Sequence, residues 1–416
     1  MSDLHDHGFK EVTRVAPARE RLREAVTPVD RTDTVPLSAA EGRALAEPVD
    51  ARHAVPDYHR AAMDGFAVRA ADTFGASDRA PEVLREVGDD EGTDPEDASV
   101  GPGEATRVHT GSALPDGADA VVMVEQTDLF AGEVEVFDAV AEGENVAPPG
   151  EDVEEGQRLY DPGHQLRPSD LGLLKSCGVR RVRVHDRPMV GVIPTGEEVV
   201  ERDPGPGEVV ETNGLTVSRY VERWGGAATY RNTVTDDPEA LRAAIERDLT
   251  KDLIVTTGGS SVGERDLIPE VVDRLGEVLV HGVALKPGHP FGFGVVRDTP
   301  VLMLPGYPVA CIVNAVQFLR PAIKWAGQMP LREHPTRTAT LTRKLPSEPG
   351  VKTFARVTVA ESGEGEAGLE ATPTRASGSG VLSSVALADG WVVVPEETEG
   401  YAEGATVPVE DWEYYA

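Results

Sequence analysis

The chain of 416 residues contains only two cysteines, Cys177 and Cys311, far apart and in unlike surroundings. Two such thiols offer no disulfide framework and are too few for a thiolate zinc site, so both are expected to pack as small apolar residues. Lysine is also scarce. Of 40 basic residues only Lys10, Lys175, Lys251, Lys286, Lys324, Lys344 and Lys352 are lysine, against 72 acids, for a net charge of −32. Such a balance argues against nucleic-acid binding, which needs a basic surface. No run of about 18 apolar residues is present to span a bilayer. The opening MSDLHDHGFKEV has neither the apolar core nor the charge order of a signal peptide. The expectation is a cytoplasmic protein that binds neither membrane nor nucleic acid.

The acid excess, the scarcity of lysine and the preference for arginine resemble proteins from salt-loving organisms. In such a chain most carboxylates serve to solvate the surface, so an acid counts as functional only inside a motif. The few lysines retained are, conversely, worth attention. His5 and His7 fall in an N-terminal stretch expected to be a tail.

The length exceeds one hydrophobic core and predicts several domains. Residues 16–26 read as a helix, and 38–46 as a second with Ser38 as N-cap. Between 61 and 145, short alternating segments such as FAVRA, EVLREV and EVEVFDAV, broken by Gly, Pro and Asp, predict a β-rich unit. Residues 146–186 read as turns plus one helix begun by Ser169 or Asp170, returning to residues 1–60 to complete a discontinuous connecting domain. From 187 to 328 strands and helices alternate, with Asn213 expected to cap one helix and Asp236, with Pro238, to start another. This predicts a three-layer α/β domain with a parallel-rich sheet and a ligand at the carboxyl ends of its strands. Residues 332–416 carry period-two segments that predict a C-terminal β-barrel. The fold class expected is therefore multidomain, α/β plus β.

The most informative segment is Ile254-Val-Thr-Thr-Gly-Gly-Ser-Ser-Val-Gly-Glu-Arg-Asp266. A hydrophobic strand runs into a glycine-rich turn, with an acid opening the next helix. Gly258, Gly259 and Gly263 would let backbone N–H groups approach an anion, and the helix dipole adds to that attraction. Asp266 is placed to hold a cation over phosphate oxygens. The loops containing Thr195-Gly-Glu-Glu198 and Leu304-Pro-Gly-Tyr-Pro308 fall at neighbouring strand ends.

Seven segments appear in a telling order: Ala61-Ala-Met-Asp-Gly-Phe-Ala67, Val108-His-Thr-Gly-Ser112 with Leu114-Pro-Asp-Gly-Ala-Asp119, Gly150-Glu-Asp152, Thr195-Gly-Glu-Glu-Val199, Thr256 to Asp266, Leu285-Lys-Pro-Gly-His-Pro290 and Leu304-Pro-Gly-Tyr-Pro308. From about residue 16 to its end the chain resembles the MoeA-type molybdopterin molybdenumtransferases, which include the gephyrin E domain. The resemblance implies an L-shaped four-domain subunit with a MogA-like α/β domain and a β-rich lid, a homodimer, and insertion of molybdate into adenylylated molybdopterin with Mg²⁺-dependent loss of AMP. It implies Asp64, Asp152, Glu198 and Asp266 as catalytic acids, with Asp266 and Asp64 as metal ligands and Asp64 acting from the partner subunit. It further implies Thr110, Gly111, Gly258, Gly259, Ser260, Ser261, Gly263, Pro305 and Gly306 as residues that bind the nucleotide and pterin. Lys286, His289, Pro290, Arg356 and Ser379 would take the molybdate, a dianion that needs cations and oriented donors in so acidic a protein.

The chain departs from the family pattern at His289, Tyr307, Ala61, Ser260 and Ala310, where Lys, Asn, Ser, Val and Ser are usual. These changes leave open a tungstate-inserting or diverged paralogue. The gephyrin likeness leaves open a non-catalytic molybdopterin-binding scaffold. A molybdopterin adenylyltransferase is the remaining alternative, against which the AMDG segment and the terminal barrel argue. A separate MogA-like adenylyltransferase is an expected partner.

Overall fold

A computed structural model describes residues 12–88, 99–258, 267–362, 368–374 and 379–414. The first helix, Val15–Ala25, buries Val15, Ala18 and Leu22 along one face, and that face packs into the same apolar cluster as Val190, Trp224 and Phe318. The strand Thr32–Pro36 pairs antiparallel with Arg181–His185, and Val49–Asp50 pairs with Arg158–Tyr160, so the two distant stretches of the chain share one small core around Leu45, Leu166 and Val184. Residues 38–46 do not form the expected helix. Only a 3₁₀ turn, Leu37–Ala39, appears; Gly42 then turns at φ +72°, and Ala44 and Leu45 bridge to Gln165 and Val184. Pairing with a distant segment outweighs the helix propensity of a short alanine-rich stretch.

Residues 61–145 contain a six-stranded sheet in the order Ala120–Met123, Gly65–Val68, Glu104–Val108, Glu82–Glu86, Glu133–Val136, Thr127–Phe130. Alternation sets its two faces: in Glu133–Val136 the valines are buried and the glutamates exposed. Gly65 is required by its neighbour, since a Cβ there would lie 1.9 Å from the Val122 carbonyl oxygen. That close approach fixes the strand directly after Asp64.

The α/β sheet runs Ala227–Tyr230, Met189–Pro194, Leu253–Thr257, Thr299–Leu304, Gly292–Val296, Glu277–His281. The first four strands are parallel, and the last two extend the sheet antiparallel. Leu253–Thr257 is buried throughout, and its alternate side chains enter two cores: Leu253 and Val255 meet Val217 and Val221 of Asn213–Arg223, whereas Ile254 meets Ile245 of Pro238–Asp248 and Val271 of Leu267–Leu275. Two helix caps differ from expectation. The Asp237 carboxylate, rather than Asp236, accepts from Glu239 N and Ala240 N at 3.1 and 2.9 Å. The Glu211 carboxylate, rather than Asn213, accepts from Gly214 N and Leu215 N at 2.6 and 3.3 Å. The last helix is Pro308–Asn314, a π-helical turn Ala315–Leu319, and Arg320–Ala326. The turn ends two residues before Pro321, which has no N–H to continue an α-helical ladder.

The C-terminal strands Lys352–Glu361, Leu369–Pro373, Thr336–Leu341, Thr406–Glu410 and Gly390–Val394 close on themselves as a five-stranded barrel around Leu341, Val357, Val392 and Val407. A sixth short strand comes from the α/β unit, Leu285–Lys286, which pairs parallel with Lys352–Thr353. Through Phe354, Trp391 and Trp412 the barrel also joins the large cluster under the α/β sheet.

Candidate active site

Three parallel strands end side by side, and their loops touch backbone to backbone. Gly258 has φ +121°, and a Cβ there would lie 2.2 Å from the Thr195 carbonyl oxygen. At Gly306 a Cβ would be 3.3 Å from the Gly258 Cα. Thr195 N donates to Thr257 O at 3.0 Å, and Gly258 N to Leu304 O at 3.2 Å. Glycine is demanded here by the space as well as by φ. The hydroxyls of Thr195 and Thr257 are buried with no hydrogen-bond partner among the described residues. Buried donors without partners are costly, so a ligand that accepts from them is favoured.

These strand ends form one wall of a cleft of about 1080 Å³ whose other wall is the barrel. It brings together Glu198, Gly258, Lys286, His289, Pro290, Pro305, Gly306, Arg356 and Ser379. The Lys286 Nζ donates to Glu348 Oε1 at 2.9 Å, across from the α/β unit to the barrel, with both side chains about half-exposed. Bonding to Lys286 and the charge of that ammonium hold the Glu348 carboxyl below its ordinary value. Arg356 is half-buried on its barrel strand opposite Trp391, and burial lowers its guanidinium from the usual value.

Several residues in and behind the cleft carry roles that sequence reading missed. The Asn314 amide, fully buried, donates to Gly288 O and Ala310 O, both at 2.9 Å, and so anchors the Lys-Pro-Gly-His loop; a polar residue within the apolar run PVACIVNAVQFL was the available signal. Asn213 donates from its side chain to Gly306 O at 2.7 Å and thereby fixes the Pro-Gly-Tyr-Pro loop. Tyr307, 58% exposed, faces the cleft, with Gly380 so near that a Cβ there would be 3.3 Å from the ring. Asp236 lines the cleft half-buried, its carboxyl raised by burial and by the nearby Glu198 and Glu197.

Four expected site residues do not line this cleft: Asp64, Thr110, Gly111 and Asp152. Asp64 is exposed, and its Oδ1 accepts from Thr110 N at 2.7 Å and from Thr110 Oγ1 at 3.0 Å. Those two bonds hold its carboxyl below the ordinary value. Gly111, at φ +90° with open space where a Cβ would stand, donates to Ala61 O at 2.8 Å. Asp152 is exposed in a turn tied by its N–H to Val55 O at 3.0 Å. Gly259, Ser260, Ser261, Gly263 and Asp266 lie outside the described residues, as do His5 and His7. Among the described residues no group of three His, Cys, Asp or Glu could hold a metal ion, and no helix is long and apolar enough to cross a membrane.

Family comparison covers nearly the whole chain. Residues 13–178 match the MoeA N-terminal region (domain I and II), 191–325 a probable molybdopterin binding domain, and 338–412 the MoeA C-terminal region (domain IV). The molybdopterin molybdenumtransferase of Bacillus subtilis is 34% identical over 393 residues, 91% of this chain and 89% of that one. The chain belongs to the MoeA family of molybdopterin molybdenumtransferases. Members of this family are transferases of molybdenum cofactor biosynthesis. A Mycobacterium tuberculosis relative, molybdopterin molybdenumtransferase 2, is 33% identical over 395 residues, covering 92% of this chain and 95% of its own. Among solved structures, the MoeA molybdopterin biosynthesis protein of Pyrococcus horikoshii matches with a TM-score of 0.79 at 33% identity, over 97% of this chain and 99% of that one. The MoeA fold thus accounts for the α/β unit, the β-rich sheet and the barrel in a single chain.

Proposed function

We propose that this chain inserts molybdate into adenylylated molybdopterin in the cleft between the α/β strand ends and the barrel, with Mg²⁺-assisted loss of AMP. The observation that carries the reading is the meeting of two binding devices in one cavity. On one side, the abutting loops at Thr195, Gly258 and Gly306 offer backbone and unpartnered hydroxyls to a phosphate. On the other, Lys286, His289, Arg356 and Ser379 offer cationic and polar groups to an oxyanion, with Pro290 lining the same wall. Cleavage of the phosphoanhydride by water, which releases AMP, and transfer of the metal from the dianion to the pterin require both groups to be held in one cavity.

Asp64 and Asp266 are the proposed ligands for Mg²⁺, which when bound would neutralise charge on the phosphate oxygens. Asp64 suits that role as a hard oxygen donor, held ionised by Thr110, with Oδ2 accepting no hydrogen bond from the described residues. Because Asp64 does not line the cleft of its own subunit, we assign it to the cleft of a partner in a homodimer, where Asp152 would serve as a further acid. Glu198 and Asp236 line the cleft from within the same subunit. The reading places the protein in the cytoplasm and, from its charge of −32, in concentrated salt. A MogA-like adenylyltransferase would supply the substrate.

The test incubates the purified protein in high salt with adenylylated molybdopterin and MgCl₂, adding molybdate or tungstate and following AMP. Oxyanion-dependent AMP release is expected, and Asp266→Ala should abolish it while leaving the assembly state unchanged. Tight pterin binding with no AMP from either oxyanion would make the protein a scaffold and sink the proposal.

A further inference from the structure

We propose that Glu348 is a tethered competitor for the oxyanion: its carboxylate bonds Lys286 within the cleft, yields to a dianion and excludes monoanions. The inference rests on the reading of the cleft as an oxyanion site and adds a residue that sets its specificity. Lys286 and Glu348 both line the cavity, and their side chains meet at 2.9 Å. An oxyanion arriving at the Lys286 ammonium therefore arrives beside a like charge.

The backbone around the pair shows that exchange needs only side-chain motion. Lys286 is fixed by its pairing with Thr353, and the loop after it by Asn314 on Gly288. The Glu348 loop is tied on both sides, by Ser347 N to Glu399 O at 2.8 Å and Gly350 N to Glu396 O at 2.7 Å. Neither domain has to separate when the contact opens. Both side chains are about half-exposed, so the pair is weak enough for a ligand to displace. A dianion gains about twice the attraction of a monoanion at Lys286, whereas a tethered carboxylate competes at high effective concentration. Molybdate can win that contest where nitrate or chloride does not.

The experiment measures molybdate binding to the full chain by calorimetry, with nitrate as competitor at constant ionic strength, for wild type, E348Q, E348D, K286Q and the double variant K286Q/E348Q. E348Q should tighten molybdate about twofold to fivefold, the range expected from removing a half-exposed ion pair that competes for Lys286, and should make binding sensitive to nitrate. E348D, which keeps the charge, should stay near wild type. In the K286Q background E348Q should change nothing, since a competitor acts only through the cation it covers; a general effect of net charge would persist there. Unchanged or weaker binding in E348Q, with K286Q impaired, overturns the competitor role and leaves the oxyanion site standing. Wild-type affinity in K286Q instead removes the oxyanion site itself.

Discussion

Asp64 and Asp170 both have carboxyls lowered from the ordinary value by hydrogen bonds, in opposite surroundings. Asp170 is 2% exposed, and burial alone would raise its carboxyl. Hydrogen bonds outweigh that effect: Oδ1 accepts from Tyr160 Oη and Arg167 Nη2 at 3.1 and 2.8 Å, and Oδ2 from Arg167 N at 2.8 Å with His164 Nε2 at 2.7 Å. Both oxygens are consumed by the protein. Asp64 stands in water, with two bonds from Thr110 on one oxygen. A low carboxyl pKa alone therefore does not mark a functional acid; the oxygen left over for a ligand does.

The largest effect that could break this contrast is on turnover. Asp64→Asn should lower AMP release at least about 100-fold, as loss of a charged group at a phosphoryl site does, with an unchanged melting temperature because the side chain is exposed. If Asp64 serves a partner's cleft, mixing Asp64→Asn protomers with Lys286→Gln protomers should restore about a quarter of wild-type activity, through heterodimers carrying one intact site. No recovery in verified mixed dimers would return Asp64 to its own subunit.

The second effect is on stability. Asp170→Ala leaves Arg167, His164 and Tyr160 without their acceptor and should cost roughly 3 kcal/mol in chemical denaturation. The folded carboxyl is depressed, so its stabilisation is present above the unfolded value of 3.8 and is lost as pH falls through 3.8 toward the lower folded value. Wild type should therefore lose stability across that acid window more steeply than Asp170→Ala. Equal slopes would mean that the hydrogen bonds do not favour the ionised form.

The sequence made the general plan legible because glycine turns and hydrophobic periodicity are local signals. The loop ends at Thr195, Gly258 and Gly306 and the period-two barrel strands could be read without a partner in view. What escaped depended on distant chain. Residues 38–46 carry local helix propensity, yet Leu45 finds Val184 instead. The antiparallel strands Gly292–Val296 and Glu277–His281 exist because they extend a sheet edge, which no short window reveals. Glu348 is one acid among 72 and becomes distinctive only through its contact with Lys286. Lysine scarcity singled out Lys286 and Lys324 equally. Lys324 is instead 1% exposed, and burial with Arg320 and Arg332 nearby pushes it down to about 8.

The smallest expected effect isolates what Thr110 contributes to Asp64. Thr110→Val removes the hydroxyl bond at 3.0 Å and keeps the backbone bond at 2.7 Å, the larger of the two influences on the carboxyl. The carboxyl should then rise part of the way toward 3.8 and remain ionised at neutral pH. Turnover near neutrality should fall only a few-fold, by loosened orientation, and the acid limb of the pH profile should move upward. Thr110→Pro, which also deletes the backbone donor, should move that limb further. An acid limb that stays fixed in both variants would mean that another group sets it, and Asp64 would lose its distinction from the exposed acids that merely keep the chain in solution.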